Sequence, residues 1–518
     1  MTAPHTQLAN SLEALVQLQS KGKRVIRGAE LPRADRQRLK KAGFIEEIVR
    51  GWYLPSRPDA QAGSSDAWFT GIREFIAGYC QERFGDNWHI SPDQSLMLGS
   101  GERSLPKQIQ IWANDANNQY LALPQASSLF MYRATKLCTS VVSDETAGLR
   151  LATLTDSLLS VGPAFFSQNP LAARIALASI HDTTALLRPL LDGGHVYIAG
   201  RLAGAMRAIG RSEIANEIVN TMAAAHLDVI ESNPFEVAFS ALSTGRPESA
   251  YVQRIRLLWV EMRQAVVDEF PHPAEVSANV AATLEKLEVQ YVADAYHSLS
   301  IEGYNVTAEL IEKVRSGAWQ PDGEDMQMRD AMAAKGYFQA YVKVKGYIAE
   351  TIGARSDNWP MQNALTSWYR ALFSPSVAAG ILKASDLAGW RNDQVFIRGA
   401  LHVPLSREAV RDCMPVFFEL LASEPHPAAR AVLGHFFFVY IHPYMDGNGR
   451  LARFIFNAML VTGGYSWTTV PLQQRQEYMT TLEEASTHAN IRPLAKLLAG
   501  LLSAQSAAPL QRPSSLPQ

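Results

Sequence analysis

The chain has 518 residues, 47% of them hydrophobic and 19% charged, with a formal net charge of −2. This length exceeds one ordinary core, so about two to four domains are expected, and the near-zero charge excludes a global field drawing the protein to nucleic acid or membrane. Three widely spaced cysteines, Cys80, Cys138 and Cys413, exclude a disulfide framework or a Cys-x-x-Cys zinc site.

The opening residues, MTAPHTQLANSLEALVQLQ, lack the basic-then-apolar order of a signal peptide. No apolar run reaches the roughly twenty residues of a membrane span. A reducing cytoplasm and no membrane partner are therefore expected. Leucines at 8, 12, 15 and 18 predict a helix over 7–19. A basic stretch follows, and within it Pro32 to Ala42 reads as a short helix ended by Gly43. FIEEIVRGWYLP then alternates around Arg50-Gly51 and reads as a hairpin. Helix, basic helix and hairpin outline a winged helix-turn-helix over 1–57. The Gly51-Trp52-Tyr53-Leu54-Pro55 string resembles the end of the hairpin in the DNA-binding module of some antitoxin-type regulators. That resemblance implies DNA as a partner, with Arg36, Arg38 and Lys40 as the contacts.

Residues 57–63 read as a linker. The stretch 65–250 is a mixed α/β middle region of unassigned role. Trp68–Arg83 and Leu171–Leu187 look helical, Gln108–Trp112 and Leu149–Ala152 look like short strands, and the alanine-rich 196–231 looks helical. From about 250 the helical spacing strengthens, over 253–269, 275–300, 307–317, 327–350 and 361–373, with Thr307 as a cap. Residues 503–518 are rich in Ser, Pro and Gln and are expected to be disordered.

Two apolar runs, Ala431–Ile441 and Leu451–Val461, flank the loop His442-Pro-Tyr-Met-Asp-Gly-Asn-Gly-Arg450. The expectation is buried helix, tight polar loop, buried helix. Gly447 and Gly449 let backbone N–H groups approach a ligand, and the start of the second helix favours an anion. Arg450, Arg453 and Asn457 share one stripe of that helix, and two guanidinium groups beside such a nest can fork onto phosphate. Asp446 adds a hard carboxylate suited to Mg²⁺ shared with phosphates. His442 can accept a proton near neutrality. Together these residues describe a phosphoryl- or nucleotidyl-transfer site.

The segment resembles the Fic family motif, His-x-Phe-x-Asp/Glu-Gly-Asn-Gly-Arg-x-x-Arg, with Tyr444 in place of the usual Phe. The resemblance spans 251–502 and implies a mainly α fold, a Fic helical bundle with a β-hairpin flap. It implies transfer of AMP from MgATP to a Ser, Thr or Tyr hydroxyl of a target protein, with self-modification also open. His442 would be the base, Asp446 the Mg²⁺ ligand, and Asp446, Gly447, Asn448, Gly449, Arg450 and Arg453 the nucleotide site. Ser298-Leu-Ser-Ile-Glu302-Gly303 resembles the family's inhibitory motif, whose glutamate would pair with Arg453 and block the γ-phosphate position. Val395-Phe396-Ile397-Arg398 begins a stretch to Pro404 that alternates around Gly399 and resembles the family's flap, a hairpin whose edge would dock a target segment. Tyr478 would lie beside the adenine. Ser486 and Thr487 stand where a second base contact is often Asn, which leaves the donor nucleotide open. A Fic enzyme that uses another donor or removes AMP, and a DNA-binding regulator, are the alternatives.

Overall fold

The computed structural model describes residues 4–56, 66–144, 148–235, 249–276, 279–319, 325–354, 361–397 and 399–507. It is mostly helical with two small sheets. The chain divides into two compact units, Met1–Arg254 with Phe396–Val403, and Ile255–Val395 with Pro404–Gln518.

The first unit begins with helix Pro4–Ser20, strand β1 (Ile26–Arg27), helix Arg33–Lys41 and strands β2 (Ile45–Val49) and β3 (Trp52–Pro55). The three strands pair antiparallel in the order β1-β3-β2, and Gly51 makes the hairpin turn at φ 87°. Leu15, Ile26, Leu39 and Ile45 close a small core beneath them. The three basic residues expected to contact DNA have partners inside this segment. Arg38 Nη1 bonds Asp35 at 2.6 Å, Lys40 Nζ bonds Glu47 at 2.6 Å, and the Arg36 guanidinium lies 5.9 Å from the Tyr53 ring centroid.

Helix Asp66–Phe84 follows, then a six-stranded mixed sheet of β4 (Trp88–Ile90), β5 (Gln108–Ala113), β6 (Gln119–Ala122), β7 (Ser128–Arg133), β8 (Val141–Ser143) and β9 (Arg150–Ala152). Its order is β6-β7-β5-β4-β9-β8, with β5–β7 and β4–β9 parallel. Only two of these strands were expected. β4 and β8 have three residues each and β6 is largely exposed on both faces, so none shows a clear period of two, whereas β7 alternates buried Leu129 and Met131 with the more exposed Phe130 and Tyr132 and was not expected. The expected helix over Leu171–Leu187 is two helices, Pro170–Ala178 and Thr184–Asp192, parted at Ser179–Thr183. The alanine-rich region forms Val196–Ala208 and Ser212–Ala224. Residues 227–235 are not helical and lie across Gly200 and Gly204, where any Cβ would strike the Ile230 or Ser232 carbonyl.

The expected flap hairpin is a turn instead. Among the described residues of 395–404 there is no strand, and the Ala400 N–H donates to the Ile397 carbonyl at 3.2 Å. Phe396, Ile397 and residues to Val403 belong to the first unit. There the Arg24 guanidinium lies over the Phe396 ring, and Arg103 Nε donates to the Val403 carbonyl at 3.2 Å. A side chain–backbone bond thus satisfies a group that a ladder would otherwise pair. Arg398 and the expected linker lie outside the described residues.

In the second unit, helices Val280–Ile301, Ala308–Ser316, Asp325–Ala354, Met361–Ala378, Pro427–Ile441 and Asn448–Thr462 follow the predicted spacing, and Arg407–Ser423, Arg475–His488 and Arg492–Ala507 join them. Thr307 caps the second of these by accepting the Leu310 N–H at 3.1 Å. The last helix runs through 503–507, which the sequence reading placed in a disordered tail. Leu494, Leu498, Leu501 and Leu502 bury one face of it and carry it past the polar composition. Among the described residues no helix is long and apolar enough to cross a membrane.

Candidate functional site

Helix Pro427–Ile441 is buried along nearly its whole length because its sequence is apolar on every face. It stops when His442 takes a left-handed conformation, φ 55° and ψ 61°. A non-glycine residue there costs roughly 1–2 kcal/mol, so the surroundings must hold it. Arg391 does this: Nε donates to the His442 carbonyl at 2.8 Å, its backbone N–H donates to Pro443 at 2.9 Å, and its other nitrogens reach the Asp393 and Leu405 carbonyls. The His442 N–H still bonds Phe438 at 3.0 Å. Its Nδ1 lies 3.1 Å from the Val439 carbonyl. A carbonyl can only accept, so Nδ1 carries the proton and Nε2 keeps a free lone pair. Burial pushes the imidazole pKa down to about 4, with the Val439 bond opposing and Arg391 assisting, so the ring is neutral at pH 7.

The loop after His442 is braced from within. Tyr444 stacks on Tyr369 with centroids 3.9 Å apart, which gives Tyr the anchoring part of the usual Phe. Asn448 closes the loop on itself: its Oδ1 accepts the Tyr444 N–H at 3.0 Å and its Nδ2 donates to the Tyr444 carbonyl at 2.8 Å. Gly447 sits at φ 82° against Phe373, where a Cβ would lie 2.7 Å from the ring. Helix Asn448–Thr462 starts there, and its first turn presents N–H groups with no partner in the helix. The Gly447 N–H is already taken by Asp446 Oδ1 at 2.5 Å. Asp446 is exposed, and its Oδ2 lies 3.2 Å from the buried Arg450. The Arg450 guanidinium is sandwiched between Tyr304 and Phe373, each ring centroid 5.1 Å away, and its buried Nε has no partner.

Arg453, one turn later, faces helix Val280–Ile301. Its Nε donates to Ser298 Oγ at 2.8 Å, and its Nη2 to the Ser298 carbonyl at 3.0 Å and Glu302 Oε1 at 2.7 Å. Burial opposes its charge most strongly, but the Glu302 carboxylate together with Tyr478 and Tyr337 outweighs burial and holds the guanidinium pKa above the ordinary value. Glu302 caps its helix, Gly303 follows at φ 87°, and Arg475 Nε bonds the Ile301 carbonyl at 2.9 Å. A Cβ on Gly449 would collide with the Glu302 carboxylate.

The structure thus brings together His442, Asp446, Gly447, Asn448, Gly449, Arg450, Arg453 and Glu302. Other expectations fare differently. Asn457 turns away from the arginine stripe, donating to the Thr468 carbonyl at 3.1 Å and accepting the Thr468 N–H at 2.7 Å. Tyr478 is 1% exposed and its hydroxyl lies 2.7 Å from His435 Nε2, so it shows no open face to a base. The Ser486 and Thr487 hydroxyls bond carbonyls of their own helix, at 2.8 and 2.7 Å. Of the flap residues, Val395 belongs to the second unit and Phe396 and Ile397 to the first. Sequence reasoning missed Arg391, Tyr304, Phe373 and His435. Each lies far from the motif or within an apolar run, and no spacing rule connects them. Among the described residues no cluster of three or more His, Cys, Asp or Glu side chains could hold a metal alone.

Part of the chain is similar to known proteins. Residues 362–460 match the model of the Fic/DOC family. The chain is 26% identical over 250 residues to a protein adenylyltransferase Fic of Nematostella vectensis, covering 48% of this chain and 55% of that one. It is 29% identical over 230 residues to a protein of the same name from Drosophila mojavensis, covering 43% and 41%. The chain therefore spans about half the length of the curated relatives it matches. A Fic-1 fragment from C. elegans superposes with a TM-score of 0.37 at 18% identity, covering 65% of this chain and 96% of that one. A Fic domain-containing signaling protein from Bacteroides thetaiotaomicron gives 0.37 at 15% identity, covering 50% and 98%.

Proposed function

Because the chain carries a Fic/DOC domain, we propose that the protein is an adenylyltransferase that moves AMP from ATP to a Ser, Thr or Tyr hydroxyl of a protein target. The relatives' name, protein adenylyltransferase Fic, supports this class of reaction. The observation that carries it is the neutral His442, with Nε2 free, set directly before a glycine-rich helix start that bears Arg450 and Arg453.

In this reading His442 Nε2 takes the proton of the incoming hydroxyl. The freed oxygen bonds the α-phosphorus, and the bond to the pyrophosphate oxygen breaks. The N–H groups at the helix start and the two guanidinium groups neutralise the charge that gathers on the departing phosphates. Nδ1 stays on the Val439 carbonyl, which keeps the ring oriented through the transfer. Asp446 would hold Mg²⁺. One exposed carboxylate fits that ion, which is usually held by one or two carboxylates together with phosphates and water. When bound, Mg²⁺ supplies positive charge to the phosphates.

Glu302 makes the resting protein inactive in this reading. Its carboxylate occupies Arg453 Nη2 at 2.7 Å, the donor a γ-phosphate would need. The test is labelling with radioactive ATP. Glu302→Gly should raise transfer at least tenfold over the unmodified chain, and adding His442→Ala should abolish it while ATP still binds. Absence of labelling by Glu302→Gly, or labelling that survives His442→Ala, would refute the assignment.

The buried Tyr478 and the inward-turned Ser486 and Thr487 favour a second reading in which the donor base is not adenine. Competition of labelled ATP by GTP, CTP or UTP separates the two. The DNA-binding alternative is not favoured, since Arg38 and Lys40 are neutralised by Asp35 and Glu47.

A further inference from the structure

Arg391 lies 51 residues before His442 in the chain and is 2% exposed. Its guanidinium reaches backbone carbonyls of three separate segments. Nε donates to His442 at 2.8 Å, Nη1 to Asp393 at 2.8 Å, and Nη2 to Leu405. Asp393 and Leu405 flank the stretch Phe396–Val403 that belongs to the first unit, and both themselves lie in the second unit with His442. Gln394 ties the same two flanks a second time. Its Nε2 donates to the Val395 carbonyl at 3.0 Å and to the Pro404 carbonyl at 2.9 Å.

A guanidinium carries its N–H donors in one rigid plane. Here that plane sets the distance from the two flanks to the His442 carbonyl, so the flanks and the histidine backbone do not shift independently. Hydrogen bonds from a charged donor are also the stronger kind. His442 needs such a hold, because a φ of 55° is one that a non-glycine residue leaves when unsupported. The Val439 carbonyl in turn holds Nδ1 only while that backbone keeps its place.

We propose that Arg391 and Gln394 are positioning residues that make the two flanks part of the support of the base: Gln394 ties the flanks together, the tied flanks seat Arg391, and Arg391 seats His442. This rests on the assignment of His442 as the base and deepens it. Both side chains act through His442, with no contact to nucleotide or acceptor required.

The experiment uses the full chain in the Glu302→Gly background. It reads kcat and the KM for ATP in transfer, ATP affinity by calorimetry, and the His442 tautomer by NMR of isotopically labelled histidine, with His442→Ala to assign the signal. Arg391→Met is expected to lower kcat about a hundredfold, the loss that a misplacement of about 1 Å can bring, with KM and ATP affinity nearly unchanged. Gln394→Ala, at a half-buried position, should lower kcat about tenfold by the same route. In both variants the Nδ1–H form of His442 should lose its dominance. The double variant should be no slower than Arg391→Met alone, because Gln394 acts through Arg391. Unchanged kcat in Gln394→Ala overturns the proposal, as does full additivity of the two changes or an unchanged His442 tautomer in Arg391→Met. Should Arg391→Met fail to fold, Gln394→Ala decides alone. The tautomer is read without transfer, so a failure of labelling by Glu302→Gly while the tautomer responds as expected counts against the assigned reaction and not against this support.

Discussion

A histidine at a left-handed helix end must be held there by its neighbours, and at His442 the neighbours also decide its protonation. The carbonyl of Val439 fixes the tautomer, Arg391 fixes the backbone, and burial keeps the ring neutral. The sign of the pH dependence follows. The base form is the deprotonated one, so kcat/KM should rise with pH only through about 4, the value to which the free protein's imidazole is pushed. Between about pH 6 and 8 the profile of Glu302→Gly should be flat, because a group with so low a pKa no longer titrates there. A limb centred near the ordinary value of about 6.5 would mean that the ring is not desolvated as described. The same shift affects folding. The unfolded chain binds more protons than the native one between about 4 and 6.5, so stability falls as pH drops through that window.

The paired core helices can set this loop only because the elements around them pack closely. Gly336 on helix Asp325–Ala354 meets helix Met361–Ala378 so tightly that a Cβ would strike the Leu372 carbonyl. Leu372 and Phe373 are in turn the residues that face Gly447. Gly336→Ala would gain up to about 1 kcal/mol of helix propensity but lose more to overpacking, typically about 1–3 kcal/mol. The net effect should be a melting temperature lower by several degrees, and a rise would show that the helices can part without cost. Such contacts mark the limit of what the sequence revealed. Most helices of the second unit were legible because their apolar residues recur at helical spacing, and the loop was legible because glycines and polar residues interrupt two apolar runs. The contact of Glu302 with Arg453 was legible through resemblance, as Ser298 and Glu302 lie one turn apart at a helix end followed by Gly303. Arg391 and His435 were not legible. One is a lone arginine in a loop, and the other is the only polar side chain within Ala431–Phe438, so their roles exist only once distant helices meet. The flap failed for a related reason: alternation predicts paired strands, but Arg103 and Arg24 supply other partners for that stretch.

Across the whole chain, charge is used in two ways. Many exposed pairs, such as Arg207 with Glu231, contribute little, because solvent screens them. A few buried charges are structural. Glu102 is 7% exposed and pairs with Arg254, which is 5% exposed. It also accepts the Arg103 N–H at 3.0 Å, the Ser104 N–H at 3.1 Å and the Ser104 hydroxyl at 2.7 Å. Burial raises its pKa, but Arg254 and the Ser104 donors outweigh burial and hold it below the ordinary value. Its stabilising contribution is thus present above the unfolded value of about 4.3 and is lost as pH falls through the native one. All of these partners lie in the first unit, whereas the residues assigned to phosphate lie in the second. Glu102→Gln removes the carboxylate that pairs with the buried Arg254 and turns an amide N–H toward donors, at an expected cost of about 3–5 kcal/mol. Thermal unfolding of this variant should therefore begin several degrees lower, with the deficit shrinking only once the pH falls below about 4.3 toward the lower native value. Calorimetric ATP affinity in the Glu302→Gly background should be unaltered, because Arg450 and Arg453 draw on neither Glu102 nor Arg254. A variant as stable as the parent would show that Glu102 is not a structural charge, and a loss of ATP affinity at unchanged stability would show that the first unit reaches the nucleotide site.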